Sequence, residues 1–159
     1  MSEISCDVIV IGAGPAGEVA AGRLADGGLE VVVVENHLVA GECSYYACMP
    51  SKALLRPGDL IDEARRIPGV KEAVTGDIDV ASALARRDEV IHDLDDSVQL
   101  PWLEDKGIRL VRGSGKLTGE KTVTAGEHEI TASRAVVIST GTRPAMPPRP
   151  RSTSCSSTW

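Results

Sequence analysis

At 159 residues, 42% of them hydrophobic, the chain has material for one domain with a buried core and too little for two. Its net charge of -6 offers nothing to a phosphate backbone or an anionic bilayer, and with aromatics at 3% and no Phe it lacks the rings of a base-stacking surface, so neither nucleic acid nor membrane is an expected partner. No apolar run approaches the roughly 18 residues of a membrane span. Met1-Ser2-Glu3-Ile4-Ser5 is unlike a signal peptide, which places the chain in the cytoplasm, where ordinary thiols stay reduced.

Cys6 to Ile11 reads CDVIVI, a short β-branched run suited to a strand buried on both faces of a parallel sheet. Gly12-Ala13-Gly14-Pro15-Ala16-Gly17 follows at once. Glu18 to Asp26 then has helical spacing up to the stop signal Gly27-Gly28, and Glu30 to Val34 is a second strand closed by Glu35. A strand, a GxGxxG turn, a helix, a strand and an acid 23 residues after Gly12 form the dinucleotide-binding βαβ fingerprint. Gly12 permits the tight turn, Gly14 the approach of a pyrophosphate and Gly17 close helix-strand packing. Pro15 and Ala16 open the helix whose N-terminus presents free N–H groups and partial positive charge, and Glu35 is placed for a ribose hydroxyl.

Cys43 and Cys48 follow in the segment Ala40 to Lys52. In an ideal helix, positions i and i+5 lie about 140° apart around the axis, with Cα atoms roughly 8.6 Å apart. A disulfide spans about 7 Å at most, so the backbone between these thiols must leave helical geometry if they pair. In a reducing compartment such a pair serves chemistry better than structure. Cys6, in the first strand, and Cys155, near the end of the chain, have no spacing that suggests chemistry. No second CxxC or His pair completes a metal site, and His37, His92 and His128 are scattered.

Ser51 to Ile67 favours helix, with Pro57-Gly58 expected to break or kink it. Asp79 to Leu100 is the longest helical candidate, capped by Asp79 and ended by Pro101. Ile108 to Arg112, Gly115 to Thr118, Thr122 to Ala125 and Glu129 to Thr131 read as a small antiparallel meander, and Ala135 to Ser139 as a further buried strand ending in Thr140-Gly141. Beyond it, four of the nine prolines and the run STSCSST predict a disordered tail over 149–159, after a domain spanning 1–148. The fold class that results is α/β, a Rossmann-like parallel sheet with an antiparallel β-meander.

The run Ala40-Gly41-Glu42-Cys43-Ser44-Tyr45-Tyr46-Ala47-Cys48-Met49-Pro50-Ser51-Lys52, behind GxGxxG and Glu35, resembles the redox motif G-G-T-C-x-x-x-x-C-x-P-S-K of the pyridine nucleotide-disulfide oxidoreductases, the family of dihydrolipoamide dehydrogenase, glutathione reductase and mercuric reductase. Ala40 and Glu42 depart from it, in place of glycine and threonine. Ser139-Thr140-Gly141 followed by Pro144 resembles the family's A-T-G-x-x-P strand end, and Gly115, in Gly113-Ser114-Gly115, falls where the family's backbone meets adenine.

The resemblance implies FAD held by Gly12, Gly14, Pro15, Ala16, Gly17, Glu35, Gly41, Glu42, Cys43, Cys48, Lys52, Gly115, Thr140 and Gly141. NAD(P)H would supply hydride, reducing the Cys43-Cys48 disulfide through the flavin. Cys48 would lie nearer the flavin, Cys43 would exchange with a dithiol, disulfide or related electrophilic substrate, and Lys52 would favour the reduced flavin. The start of the Pro50-Ser51-Lys52 helix is expected to lower thiol pKa.

The resemblance covers Asp7 to about Pro148, the family's FAD domain alone. The nicotinamide domain, and the interface domain that makes the family homodimeric, lie outside it, so the chain is expected to be incomplete for turnover and not dimeric. Two other readings stand beside this one. The first is an inactive dinucleotide-binding module with inert cysteines. The second, a nicotinamide-only dehydrogenase, is disfavoured because no substrate base is evident.

Overall fold

The computed structural model describes residues 2–142 and 145. A six-stranded sheet forms the centre, in the order β3-β2-β1-β6-β5-β4. Its strands are β1 (Ser2–Ile11), β2 (Val31–Glu35), β3 (Arg109–Arg112), β4 (Lys116–Gly119), β5 (Thr122–Ala125) and β6 (His128–Ile138). β1 pairs in parallel with β2 on one side and with β6 on the other, and β3 extends the parallel set beside β2. β4 and β5 add antiparallel strands beyond β6. The chain moves from β1 to one flank and returns to the other, which creates a switch in strand order at the C-terminal edge, where α/β sheets bind ligands.

β1 and β2 are buried on both faces, as their unbroken β-branched runs predict. On one face Val8, Val10, Val31 and Val33 pack with Ala21 and Leu24 of α1 (Pro15–Asp26) and with Leu103 of α5 (Leu100–Asp105). On the other, Ile9, Ile11, Val32 and Val34 pack with Val123 of β5 and Ile130 of β6. α2 (Gly41–Tyr45), α3 (Cys48–Arg66) and α4 (Val80–Val90) lie between β2 and α5 in the chain. Tyr45 and Ala40 join Ile91, just past α4, in a third buried cluster. No helix among the described residues is long and apolar enough to cross a membrane.

Four local expectations are corrected. The stretch Ile108 to Arg112 is no part of the meander: Arg109–Arg112 pairs in parallel with β2 and buries Val111. The pieces Glu129 to Thr131 and Ala135 to Ser139 belong to one strand, because β1 pairs along nearly its whole length with β6, shifting register once between Cys6 and Val8. α3 starts at Cys48 and runs through Pro57 without interruption. The long helix Asp79 to Leu100 ends at Val90; His92, Asp93 and Leu94 have positive φ, and Pro101 sits in the first turn of α5 instead of stopping a helix. Asp95 there accepts from the Ser97 amide and hydroxyl, a side-chain alternative to helical bonding. Asp79 does cap α4, accepting from the Ala81 and Ser82 amides.

Candidate functional site: a glycine-walled cleft beside a cysteine pair

β1 delivers the chain into a turn that only glycine fits. Gly12 has φ of +99°, and a Cβ there would collide with the Ser139 carbonyl; a Cβ on Gly17 would collide with the Gly12 carbonyl oxygen. Gly14 faces open space, and its extended backbone is the N-cap of α1 with Pro15 in the first turn. No side chain caps this helix, so its leading amides are left to a ligand. This is a cradle suited to a pyrophosphate.

Glu35 is 8% exposed and holds the turn from the β2 side. Its Oε2 accepts from the Ala13 amide and its Oε1 from the His37 amide, both at 2.7 Å. Each oxygen keeps a lone pair for a further donor such as a ribose hydroxyl. Gly41 has φ of +60°, and a Cβ on it would lie 2.8 Å from the Gly14 Cα. Glycine at 41 thus lets the cysteine-bearing segment dock directly on the nucleotide turn.

Cys43 lies in α2 and Cys48 is the first residue of α3. Between them Tyr46 (φ -124°, ψ -17°) and Ala47 (φ -125°, ψ -86°) leave helical geometry, the departure that pairing at this spacing demands. Both cysteines are free thiols here. The neighbouring Cys48 side chain is the main cause holding the Cys43 thiol above its ordinary pKa; desolvation adds to it, Lys52 opposes it and Glu18 reinforces it.

A cleft of about 790 Å³ opens over the strand ends. Of the residues expected to contact a cofactor, Gly12, Gly14, Pro15, Ala16, Glu35, Gly41, Glu42, Cys43, Gly115, Thr140 and Gly141 line it. Gly17, Cys48 and Lys52 do not: Gly17 packs under the turn, and Cys48 and Lys52 are exposed along α3. Asn36, His37, Leu38 and Tyr46 also line the cleft and were not anticipated. His37 and Tyr46 are stacked, with centroids 5.7 Å apart, and His37 Nε2 lies 3.0 Å from the Tyr46 hydroxyl. An aromatic beside a histidine nine residues away carries no motif, so the sequence offered no signal for them. Pro144 and Cys155 lie outside the described residues.

A parallel sheet whose glycine turn, strand-end acid and cysteine segment share one cleft defines a dinucleotide-binding redox fold. The sequence profile of the pyridine nucleotide-disulphide oxidoreductases matches residues 6–156, and the chain belongs to that family. Mercuric reductase of Staphylococcus aureus is 32% identical over 146 residues, covering 91% of this chain and 26% of the relative. Dihydrolipoyl dehydrogenase 3 of Pseudomonas aeruginosa is 36% identical over 148 residues, covering 89% of this chain and 32% of the relative. The chain thus spans no more than about a third of the length of these curated relatives. Among solved structures, the HOCl-induced flavoprotein disulfide reductase RclA from Escherichia coli superposes with a TM-score of 0.68 over 89% of this chain and 29% of that one; at 24% identity the likeness shows the fold.

Proposed function

We propose that residues 1–148 are the FAD-binding part of a cytoplasmic flavin-dependent disulfide oxidoreductase, in which electrons from NAD(P)H reach a Cys43-Cys48 disulfide. The cleft suits the cofactor: a glycine cradle that a Cβ would fill, uncapped helix amides, and a carboxylate with spare acceptor capacity. When bound, the flavin supplies a two-electron carrier between nicotinamide and disulfide. The chain's residues do the rest. Gly12, Gly14 and the start of α1 would bind the pyrophosphate, Glu35 a ribose, and Gly41 brings Cys43 to the cleft wall. Reduction of the disulfide consumes two electrons and two protons and leaves the two thiols seen here.

The observation that carries this reading is the non-helical break at Tyr46 and Ala47, the departure from helix geometry without which two sulfurs at this spacing could not pair. The alternative is a nucleotide-binding module with inert cysteines, which the upward push of the Cys48 side chain on the Cys43 thiol pKa would suit. Purified protein separates the two. Yellow chain with bound FAD, whose colour changes during dithiol titration, and heat protection by FAD but not by NAD support the oxidoreductase. A colourless chain that FAD does not protect and whose two thiols alkylate freely supports the module.

A further inference from the structure

The cleft that suits a pyrophosphate is walled by acids: among the described residues its lining includes Glu35 and Glu42 but no Lys or Arg. The two acids differ. Glu35 is buried and accepts from the Ala13 and His37 amides, donors that offset its charge. Glu42 is exposed and takes part in none of the ion pairs among the described residues. Its backbone is nonetheless fixed. The Glu42 carbonyl accepts from the Tyr46 and Ala47 amides at 2.9 and 2.7 Å, and just before it the Ala40 amide donates to the Ala13 carbonyl at 2.8 Å. Gly41, between them, packs against the Gly14 Cα. An unpaired carboxylate thus stands on the cleft wall one residue past the contact with the nucleotide turn, where the redox motif has threonine.

We propose that Glu42 sets the charge selectivity of this cleft, repelling anionic ligands in proportion to their charge. A dinucleotide, whose pyrophosphate is a diester, is then disfavoured less than an adenine nucleotide that ends in a free phosphate and carries more negative charge. The inference rests on reading the cleft as a dinucleotide site. Its attraction for phosphate comes from turn amides and the start of α1, which supply partial and not full positive charge, so an unpaired anion beside them weighs on binding. Because Glu42 is exposed, the repulsion acts through water and is modest. It fades as salt shortens the Debye length from about 30 Å at about 0.01 M to about 3 Å at about 1 M.

The test is the dissociation constant of FAD for the purified chain, and that of ADP by competition with it, at mildly alkaline pH and at those two salt concentrations, for the parent, Glu42→Gln and Glu42→Asp. At low salt Glu42→Gln should bind FAD about three-fold and ADP about five-fold more tightly than the parent, and both gains should vanish at high salt. Glu42→Asp keeps the charge and should behave as the parent. Unchanged constants, a gain that survives high salt, equal gains for the two ligands, or weaker binding by Glu42→Gln overturn the charge role and leave the cofactor site standing. A parent and a Glu42→Gln chain that both fail to bind FAD at either salt concentration overturn the dinucleotide reading and this inference together.

Discussion

The adjacent Cys48 side chain is the largest influence on the Cys43 thiol and pushes its pKa above the ordinary value. Lys52 pulls the other way and Glu18 adds to the penalty. The signs give a direct prediction for iodoacetamide alkylation of Cys43 at neutral pH. Cys48→Ser removes the dominant cause and speeds the reaction, Lys52→Gln removes the opposing cation and slows it by about two-fold, and Glu18→Gln speeds it. Rate against pH for the parent places the midpoint above that of an ordinary thiol; a midpoint at the ordinary value, or a slower Cys48→Ser, counts against this ordering. Much of this site was legible from residue type, since a positive φ at Gly12 and the contact of Gly41 with Gly14 demand glycine in any sequence that folds this way. His37 and Tyr46 were not legible, because neither identity is demanded by backbone geometry and their contact exists only once β2 and α2 are in place.

α3 is a 19-residue helix that buries only Pro50 among its residues and carries Pro57 and Gly58 in its middle. Pro57 lacks the amide for one helical bond and its ring crowds the carbonyl a turn earlier, while Gly58 faces open space. The helix nevertheless continues through this weak point, with α4 as its neighbour. Pro57→Ala is therefore expected to stabilise α3 by about 2 kcal/mol, slowing amide hydrogen exchange within Cys48–Arg66 roughly 30-fold. Unchanged exchange there would mean that the helix opens with the whole domain. Pro57-Gly58 argued for a break or a kink because propensity describes a lone helix; no break occurs, and the helix runs on to Arg66. The same limit explains β3, a short β-prone piece whose parallel sense is set only by pairing with Val32 to Glu35. β1 and β2 were readable since burial on both faces imprints an unbroken apolar run.

Across the molecule, one carboxylate ties three distant segments. Asp96 Oδ2 accepts from the buried Val39 amide and pairs with Arg112, each at 2.7 Å, and Arg112 reaches on to the His37 carbonyl. The turn after α4, the edge strand β3 and the loop before the cysteines are thus joined at the cleft's rim. Burial of Asp96 works against its charge, yet Arg112 and the Val39 amide outweigh it and hold the carboxyl below its ordinary pKa. A depressed carboxylate contributes stability that is present above the unfolded value of about 3.9 and lost as pH falls through the folded value. Asp96→Ala leaves the Val39 amide buried without its acceptor and Arg112 without its carboxylate. It should cost about 2 kcal/mol at pH 7, read as a lower urea midpoint. The gap between parent and variant should narrow once the pH drops below 4, because protonation removes the ion pair from the parent as well. An equal gap at pH 7 and pH 3 would show that the charge of Asp96 contributes nothing, and that the variant's cost comes from the lost amide bond and packing alone.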